Sequence, residues 1–388
     1  MATRKQNFLI KHFAGIKKAQ IELGDLTVFI GPQASRKTLV LELIKLTYDI
    51  KVIAKNLKKH GFTWENLEDF LELYFGEGLS SAWNSNKSSI SRNGKEIKLH
   101  PKGKSSSREK VFYIPAQRVL TLEDGWPRAF TNYRVTDPYV VKNFSEEIRI
   151  FLEQMGDSIF PIEGKLLKDL RELIDYSIFW SAQLKKSEKG KRRRLSLEIE
   201  AKNQKIQLPF MVWSAGQREF VPLLLGFYWL MPSGSSAKRS GVNFAIIEEP
   251  EMGLHPKAIE GVIIIILELL RRGYKVLIST HSSQILELIW FIQEIKSLKT
   301  RNQKEKIKAF RSLFQIKSSH LDKVWESSLK KSYKIFYFYP NNETEIQIQD
   351  ISNLSSDLDV SNLEPWGGLL SFPDRINSTI ADMIAREK

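Results

Sequence analysis

The residue types best suited to chemistry fall in two short stretches. In Phe244 to Pro256, reading FAIIEEPEMGLHP, an apolar run ends in two adjacent acids, Glu248 and Glu249, and then Pro250. An unbroken apolar run of this length reads as a strand buried on both faces, as in a parallel sheet. Ligands gather at the carboxyl ends of such strands. Two neighbouring carboxylates there can divide the work of a hydrolysis: one holds a magnesium ion and the other takes a proton from water. Taken alone, the stretch also fits a surface turn that happens to be acidic. The second stretch is Gly31-Pro-Gln-Ala-Ser-Arg-Lys-Thr38, between the apolar strand Leu26–Ile30 and the helical residues 39–49. Strand, loop and helix in that order is the setting of a phosphate-binding loop, whose backbone N–H groups wrap phosphates at a helix N-terminus. Gly31, Gln33, Ser35 and Arg36 would form the cradle. Lys37 would reach the β and γ phosphates, and the Thr38 hydroxyl would ligate magnesium. The spacing holds except at Arg36, where glycine is expected because the backbone there adopts a conformation costly for other residues. Arg36 either binds phosphate through its guanidinium or marks reduced turnover; a merely basic helix start is the plain alternative.

Three further positions fit the same chemistry. The strand-like Val111–Ile114 ends in Pro115-Ala-Gln-Arg118, where Gln117 or Arg118 could meet magnesium, the attacking water or a phosphate, or could simply turn the chain. Trp213-Ser-Ala-Gly-Gln-Arg-Glu219 is a small-residue loop opening the apolar helix 220–231, which again favours an anion. The strand-like YKVLIST of Tyr274–Thr280 ends in His281-Ser-Ser. A lone strand-end histidine is commonly structural, but this one follows the acid-tipped strand by one helix, 257–272. That is the spacing of a βαβ unit with neighbouring strand tips. Asp357-Leu-Asp359 has the form of a nuclease acid pair, yet its Ser- and Asp-rich surroundings read as background.

The elements that position these residues follow from patterning. Residues 7–30 read as two or three strands, 51–78 as amphipathic helix, and 80–110, poor in large apolar groups, as a hairpin or long loop. Helical periodicity from Ser145 to Leu184 gives a separate lobe, closed by strands at 194–200 and 205–212. The basic run Lys185–Arg194 is a solvated hairpin tip or a nucleic-acid patch. The tail reads as a charged helix from 299, a hairpin of 333–339 with 345–349, and a last helix near 375–386. The expected division is 1–140 (with an insertion at 51–110), 141–204, 205–298 and 299–388.

Composition bounds the rest. With 388 residues, 42% hydrophobic and 27% charged, the chain is an ordinary folded protein of two or three lobes. It has no cysteine, which removes disulfides, thiolate metal sites and cysteine nucleophiles and fits a reducing cytoplasm. The start, MATRKQNFLIKHF, lacks an apolar segment of signal-peptide length, and the apolar runs at 220–231 and 261–270 are too short or too charged to span a bilayer. Fifty-nine basic against 45 acidic residues give +14, which favours polyanions such as nucleotides, nucleic acid or an acidic protein.

Taken in order, GPQASRKT at 31–38, PAQR at 115–118, SAGQRE at 214–219, EEPEMGLHP at 248–256 and STHS at 279–282 resemble the motif set of an ABC-type ATPase head. The similarity is to the SMC-like branch of AAA family ATPases that includes overcoming-lysogenisation-defect proteins and ATPase subunits of bacterial antiphage systems such as PARIS or Septu. The resemblance covers roughly residues 7–60, 111–120 and 205–290. It implies an α/β fold with a mixed β-sheet core, an N-terminal antiparallel β part and a helical lobe. It implies ATP and Mg2+ as cofactors, with Lys37 and Thr38 on phosphate and magnesium, Glu248 and Gln117 at the metal, Glu249 as general base and His281 as the γ-phosphate switch. Ser214, Gly216 and Gln217 would close on a nucleotide held by a second subunit, in a head-to-tail homodimer or higher oligomer, and His255 would sit in a subunit-contacting loop. A separate effector, nuclease or toxin, would be the partner, with nucleic acid a further one and no membrane. Two other readings follow from the same motifs: a nucleotide-locked scaffold with little turnover, and an SMC-like DNA repair ATPase. A transporter subunit fits least.

Overall fold

The computed structural model describes residues 6–103, 108–189, 192–201, 204–232, 238–299, 302–341, 345–354, 369 and 376. Its centre is a six-stranded mixed sheet, in the spatial order Ile346–Asp350, Tyr333–Pro340, Leu26–Ile30, Lys275–Ser279, Phe244–Glu248, Val111–Ile114. The last five run parallel and only Ile346–Asp350 is antiparallel. Leu26–Ile30, Val111–Ile114 and Phe244–Glu248 are buried at every residue, as expected of parallel strands covered on both faces. Side chains alternate between two cores. Val28, Ile30, Ile114, Ile247 and Ile278 face one of them; Phe29, Tyr113, Ile246, Leu277 and Phe336 face the other.

Register carries the functional consequence. Ser279 pairs with Glu248 and with Phe29, and Ile114 pairs with Ile247, so four strands end at the same level. The loops that leave those ends carry residues 31–36, 115–118, 249–255 and 280–282. All the motifs of the sheet are thereby brought to one edge, the carboxyl edge.

Helices and two antiparallel sheets cover the faces. Helix Lys37–Lys59 leaves the first loop and packs under the sheet Ile16–Leu23, Gln6–Phe13, Ser89–Arg92, Lys95–Glu96. It is longer than the predicted helix and takes over the first turns of the 51–78 stretch; the rest is helix Leu67–Phe75, started by an Asn66–Asp69 capping box. Within 80–110 the Ser89–Arg92 and Lys95–Glu96 hairpin turns at Asn93 and Gly94, both at positive φ (52° and 78°), as a two-residue loop requires. The expected helical lobe is only half helical. Helices Tyr139–Gln154 and Lys168–Ile174 share it with an antiparallel sheet of Ser158–Phe160, Gln183–Lys189, Arg192–Ala201 and Gln204–Pro209. The last two of these strands are the ones expected at 194–200 and 205–212; the first two, Ser158–Phe160 and Gln183–Lys189, fall within or at the edge of the stretch read as helical. The tip of the basic hairpin, the Asp357-Leu-Asp359 pair and all of the expected last helix except Ile376 lie outside the described residues. Among the described residues no helix is long and apolar enough to cross a membrane.

Candidate active site

The 31–38 loop is held by its own lysine. Lys37 Nζ donates to the Gly31 carbonyl (2.9 Å), the Pro32 carbonyl (2.8 Å) and Ser35 Oγ (3.2 Å), with the side chain buried. Gly31 is required by contact as well as conformation. Its φ is +143°, and a Cβ there would stand 2.1 Å from the Phe338 carbonyl oxygen of the neighbouring strand. Arg36 occupies the missing-glycine position in the left-handed conformation that glycine would take, φ 70° and ψ 13°, and Ala34 is likewise at φ 60°. Each costs about 1 kcal/mol or more for a residue with a Cβ. The sequence thus departs from the loop pattern while the backbone keeps its shape.

A pocket of about 220 Å³ is lined by this loop, including Gln33, Ser35, Arg36, Lys37 and Thr38, together with Glu249 and His281. Residues 244 positions apart in the chain meet here because their strands share the sheet. Glu249 Oε1 lies 3.6 Å from His281 Nε2, and the backbone of Glu249 is itself left-handed, at φ 41°. The histidine beside it holds the Glu249 carboxyl below the usual carboxylate range against its partial burial, with Lys37 and Arg118 assisting. Burial in turn lowers Lys37, opposed by Glu249, Glu248 and Glu251. A buried cation ringed by acids is poised for a polyanion that would relieve both.

Glu248 lies deeper, 1% exposed, and accepts from the Ala116 N–H at 3.2 Å through Oε2. Its Oε1 is buried with no hydrogen-bond partner. Burial raises this carboxyl, and the neighbouring Thr38 and Tyr113 hydroxyls and the Ala116 N–H pull it back down. A buried carboxylate with one unpartnered oxygen and a threonine hydroxyl beside it is the donor chemistry that fits a hard divalent cation keeping its remaining ligands as water and phosphate oxygens. Glu248 and Thr38 would hold magnesium here; when bound, such an ion neutralises phosphate charge.

Two residues with no assigned role in the expected site, buried Arg118 and half-buried Glu251, tie it together. Arg118, fully buried, donates to the carbonyls of Glu219 (Nε, 3.2 Å), Glu248 (Nη1, 3.0 Å) and Glu249 (Nη2, 3.1 Å) and pairs with Glu219 Oε2 at 3.5 Å. It thus joins the acid pair to the helix opened by the SAGQRE loop. Glu251 Oε1 accepts from Thr280 Oγ1 (2.8 Å) and the His281 N–H (2.6 Å), locking the histidine loop to the acid loop. Arg118 was visible in sequence only as one of two strand-end candidates, and Glu251 only as a third acid after the pair.

Other predicted residues are not brought to this pocket. Gln117 is exposed on the 3-10 turn Ala116–Thr121 and does not line it. Ser214 caps helix Ala215–Leu230 in a reciprocal box with Gln217. The Gln217 amide is engaged within the chain at both ends, its Nε2 donating to the Ile178 carbonyl at 3.1 Å, which makes it a structural residue in this state. Gly216 lies close to the acid loop, its absent Cβ 3.2 Å from the Gly253 carbonyl, but neither it nor Ser214 lines the pocket. The His255 imidazole caps helix Pro256–Arg271 by accepting from the Lys257 N–H at 3.2 Å.

No curated protein matches the chain. Similar solved structures include an SMC head domain from Thermotoga maritima, at 11% identity and TM-score 0.36, covering 90% of this chain and 99% of that one. An Smc head bound to the C-terminal winged-helix domain of ScpA has 9% identity and TM-score 0.42, with 90% and 98% covered. A third, the Smc head with an extended coiled coil bound to the C-terminal domain of ScpA derived from Pyrococcus furiosus, has 10% identity and TM-score 0.37, with 90% and 96% covered. The model of the family described as "AAA domain, putative AbiEii toxin, Type IV TA system" matches residues 26–287, roughly two thirds of the chain, and the chain belongs to that AAA-domain family.

Proposed function

We propose that the chain binds and hydrolyses ATP with Mg2+ and works as the gating subunit of a bacterial antiphage system that controls a separate nuclease or toxin. The observation that carries the ATPase reading is the single pocket lined by Lys37, Thr38, Glu249 and His281, with the orphaned Glu248 Oε1 behind it. In this reading the loop amides and Lys37 bind the β and γ phosphates. Glu249, kept ionised by its histidine neighbour, accepts the proton of the attacking water, and His281 contacts the γ-phosphate. Ser214 and Gly216, free of the pocket of their own chain, act on the nucleotide of a second copy. The family description, which speaks of a toxin of a type IV toxin–antitoxin system, supports a defence setting. Steady-state phosphate release tests the enzyme part: wild type should turn over, and Glu249→Gln should fall below about one hundredth of it. Equal rates would remove Glu249 from its role.

A second reading has its own support. Lys37 is satisfied by its own loop, and Ala34 and Arg36 hold left-handed positions that stiffen that loop. A nucleotide-locked scaffold would bind ATP with wild-type turnover near zero.

A further inference from the structure

We infer that strand Gln204–Pro209 is an interface between two copies of this chain, the strands pairing antiparallel across a two-fold axis with no nucleotide between them. The strand stands last in the order of its four-stranded sheet, so its outer edge pairs with no strand among the described residues. Every residue of it except Leu208 is exposed. One group there is taken: the Leu208 carbonyl accepts from the Trp213 indole at 2.9 Å. The rest of such an edge is a row of unused N–H and C=O groups, and what completes it is another extended strand. Its guards against pairing are thin, one lysine (Lys205) and the closing Pro209.

Of the five most exposed large apolar side chains among the described residues, four flank this edge. Met211 and Val212 lie on the turn into which the strand runs, Phe210–Val212. Trp180 shares a cleft of about 240 Å³ with Lys205 of the strand, and the Tyr176 ring packs on Trp180 at 5.5 Å. The backbone that presents these two rings is strained. Asp175–Phe179 is a π-helical turn, and Trp180 and Ser181 follow it at φ 50° and 67°, left-handed positions that disfavour any residue with a Cβ. Asp175 holds them, accepting from the Trp180 N–H through its carbonyl (2.6 Å) and from the Ser181 N–H through Oδ1 (3.1 Å). In a lone chain this turn only exposes a tryptophan to water; covered by a second copy, the ring is buried.

A second copy fits by area, charge and symmetry. With Ile206 and the strand edge these side chains offer roughly 600–800 Å² per copy, against about 800 Å² per partner in standard interfaces. The chain carries +14, but Lys185 and Lys205 both reach Glu198, at 2.8 and 3.5 Å, so like-charged copies would meet at a locally balanced spot. With Ile206 opposite the partner's Ile206, Lys205 falls opposite the partner's Gln207 and no like charges are opposed.

Sedimentation of the nucleotide-free full chain carrying Lys37→Ala, which keeps a nucleotide-bridged pair out of the measurement, tests the inference. A monomer–dimer equilibrium with Kd of about 10 µM or tighter should appear, and amides of 204–209 should gain hydrogen-exchange protection as the dimer forms. Ile206→Lys, and separately Trp180→Asn, which tolerates the left-handed backbone, should each weaken the dimer at least about tenfold, with a dilute-monomer melting temperature no lower than before. A chain still monomeric at about 100 µM overturns the inference and leaves the edge to a strand of another protein. A dimer indifferent to either substitution, or one that forms without protecting 204–209, overturns it equally.

Discussion

Replacing Arg118 by methionine should separate nucleotide binding from turnover. The guanidinium is fully buried and makes three hydrogen bonds to carbonyls of Glu219, Glu248 and Glu249, with a 3.5 Å ion pair to Glu219. Bonds from a charged donor contribute about 1.5–3 kcal/mol each, but methionine refills most of the volume, and the net cost of breaking such a buried pair is about 3–5 kcal/mol. Globular chains unfold with about 2.1 cal/mol/K per residue, so 388 residues melting as one unit would lose roughly 4–6 °C for that cost. The kinetic effect is more specific. Glu249 sits at φ 41°, a conformation that persists only while its surroundings over-determine it, and Arg118 holds its carbonyl. Without that grip phosphate release should fall about 100-fold, about 2.7 kcal/mol of barrier. ATP affinity, set by Lys37 and the loop, should stay within about threefold, because the Lys37 contacts do not involve Arg118. Arg118→Lys, which keeps the charge and loses the fork, should fall between. Titration calorimetry, a phosphate-release assay and a melting curve on the same samples decide the matter. Turnover within twofold of wild type despite the lower melting temperature would refute the coupling and leave Arg118 a packing residue; an equal loss of affinity and turnover would refute it too.

Three other perturbations have defined outcomes. Gly31→Ala should cost at least about 3 kcal/mol in urea unfolding, since its Cβ cannot sit 2.1 Å from the Phe338 carbonyl without moving that strand, and a wild-type midpoint would contradict the packing. Arg36→Gly relieves about 1 kcal/mol of left-handed strain and should raise phosphate release with ATP affinity changed less than threefold; a tenfold loss of affinity would instead assign the guanidinium to phosphate. Burial, opposed by Lys45, holds the Asp49 carboxyl at about 6 against an ordinary 3.8. The folded chain therefore grips this proton more tightly than the unfolded one, so the group's penalty is absent below about pH 4 and complete above about pH 6. That penalty is on the order of 3 kcal/mol, and denaturation of Asp49→Asn should lack this fall between pH 4 and pH 7. Parallel profiles for the two proteins would contradict it.

Much of the site's scaffold was legible because parallel strands announce themselves. Leu26–Ile30, Val111–Ile114, Phe244–Glu248 and Lys275–Ser279 are apolar runs that stop abruptly at polar residues, and those stops are where the chemistry lies. The pairing order was legible only in part. A βαβ spacing puts Lys275–Ser279 beside Phe244–Glu248, but nothing local says that Tyr333–Pro340, read as one arm of a hairpin, also lies parallel to Leu26–Ile30 and presses on Gly31. Arg118 and Glu251 escaped assignment for a related reason: their roles are set by carbonyls and hydroxyls reached through tertiary structure, about which residue type and spacing carry no signal. At Arg36 the sequence overstated the difference, since residue identity departs from glycine while the backbone conformation does not.

The claim that distant residues converge on a terminal phosphate is tested most directly by calorimetric titration of MgATP into wild type, Lys37→Ala and Glu249→Gln. Wild type and Glu249→Gln should bind with similar affinity, and Lys37→Ala should lose at least about 100-fold, the equivalent of one strong charge-assisted contact. Wild-type affinity in Lys37→Ala would contradict the claim.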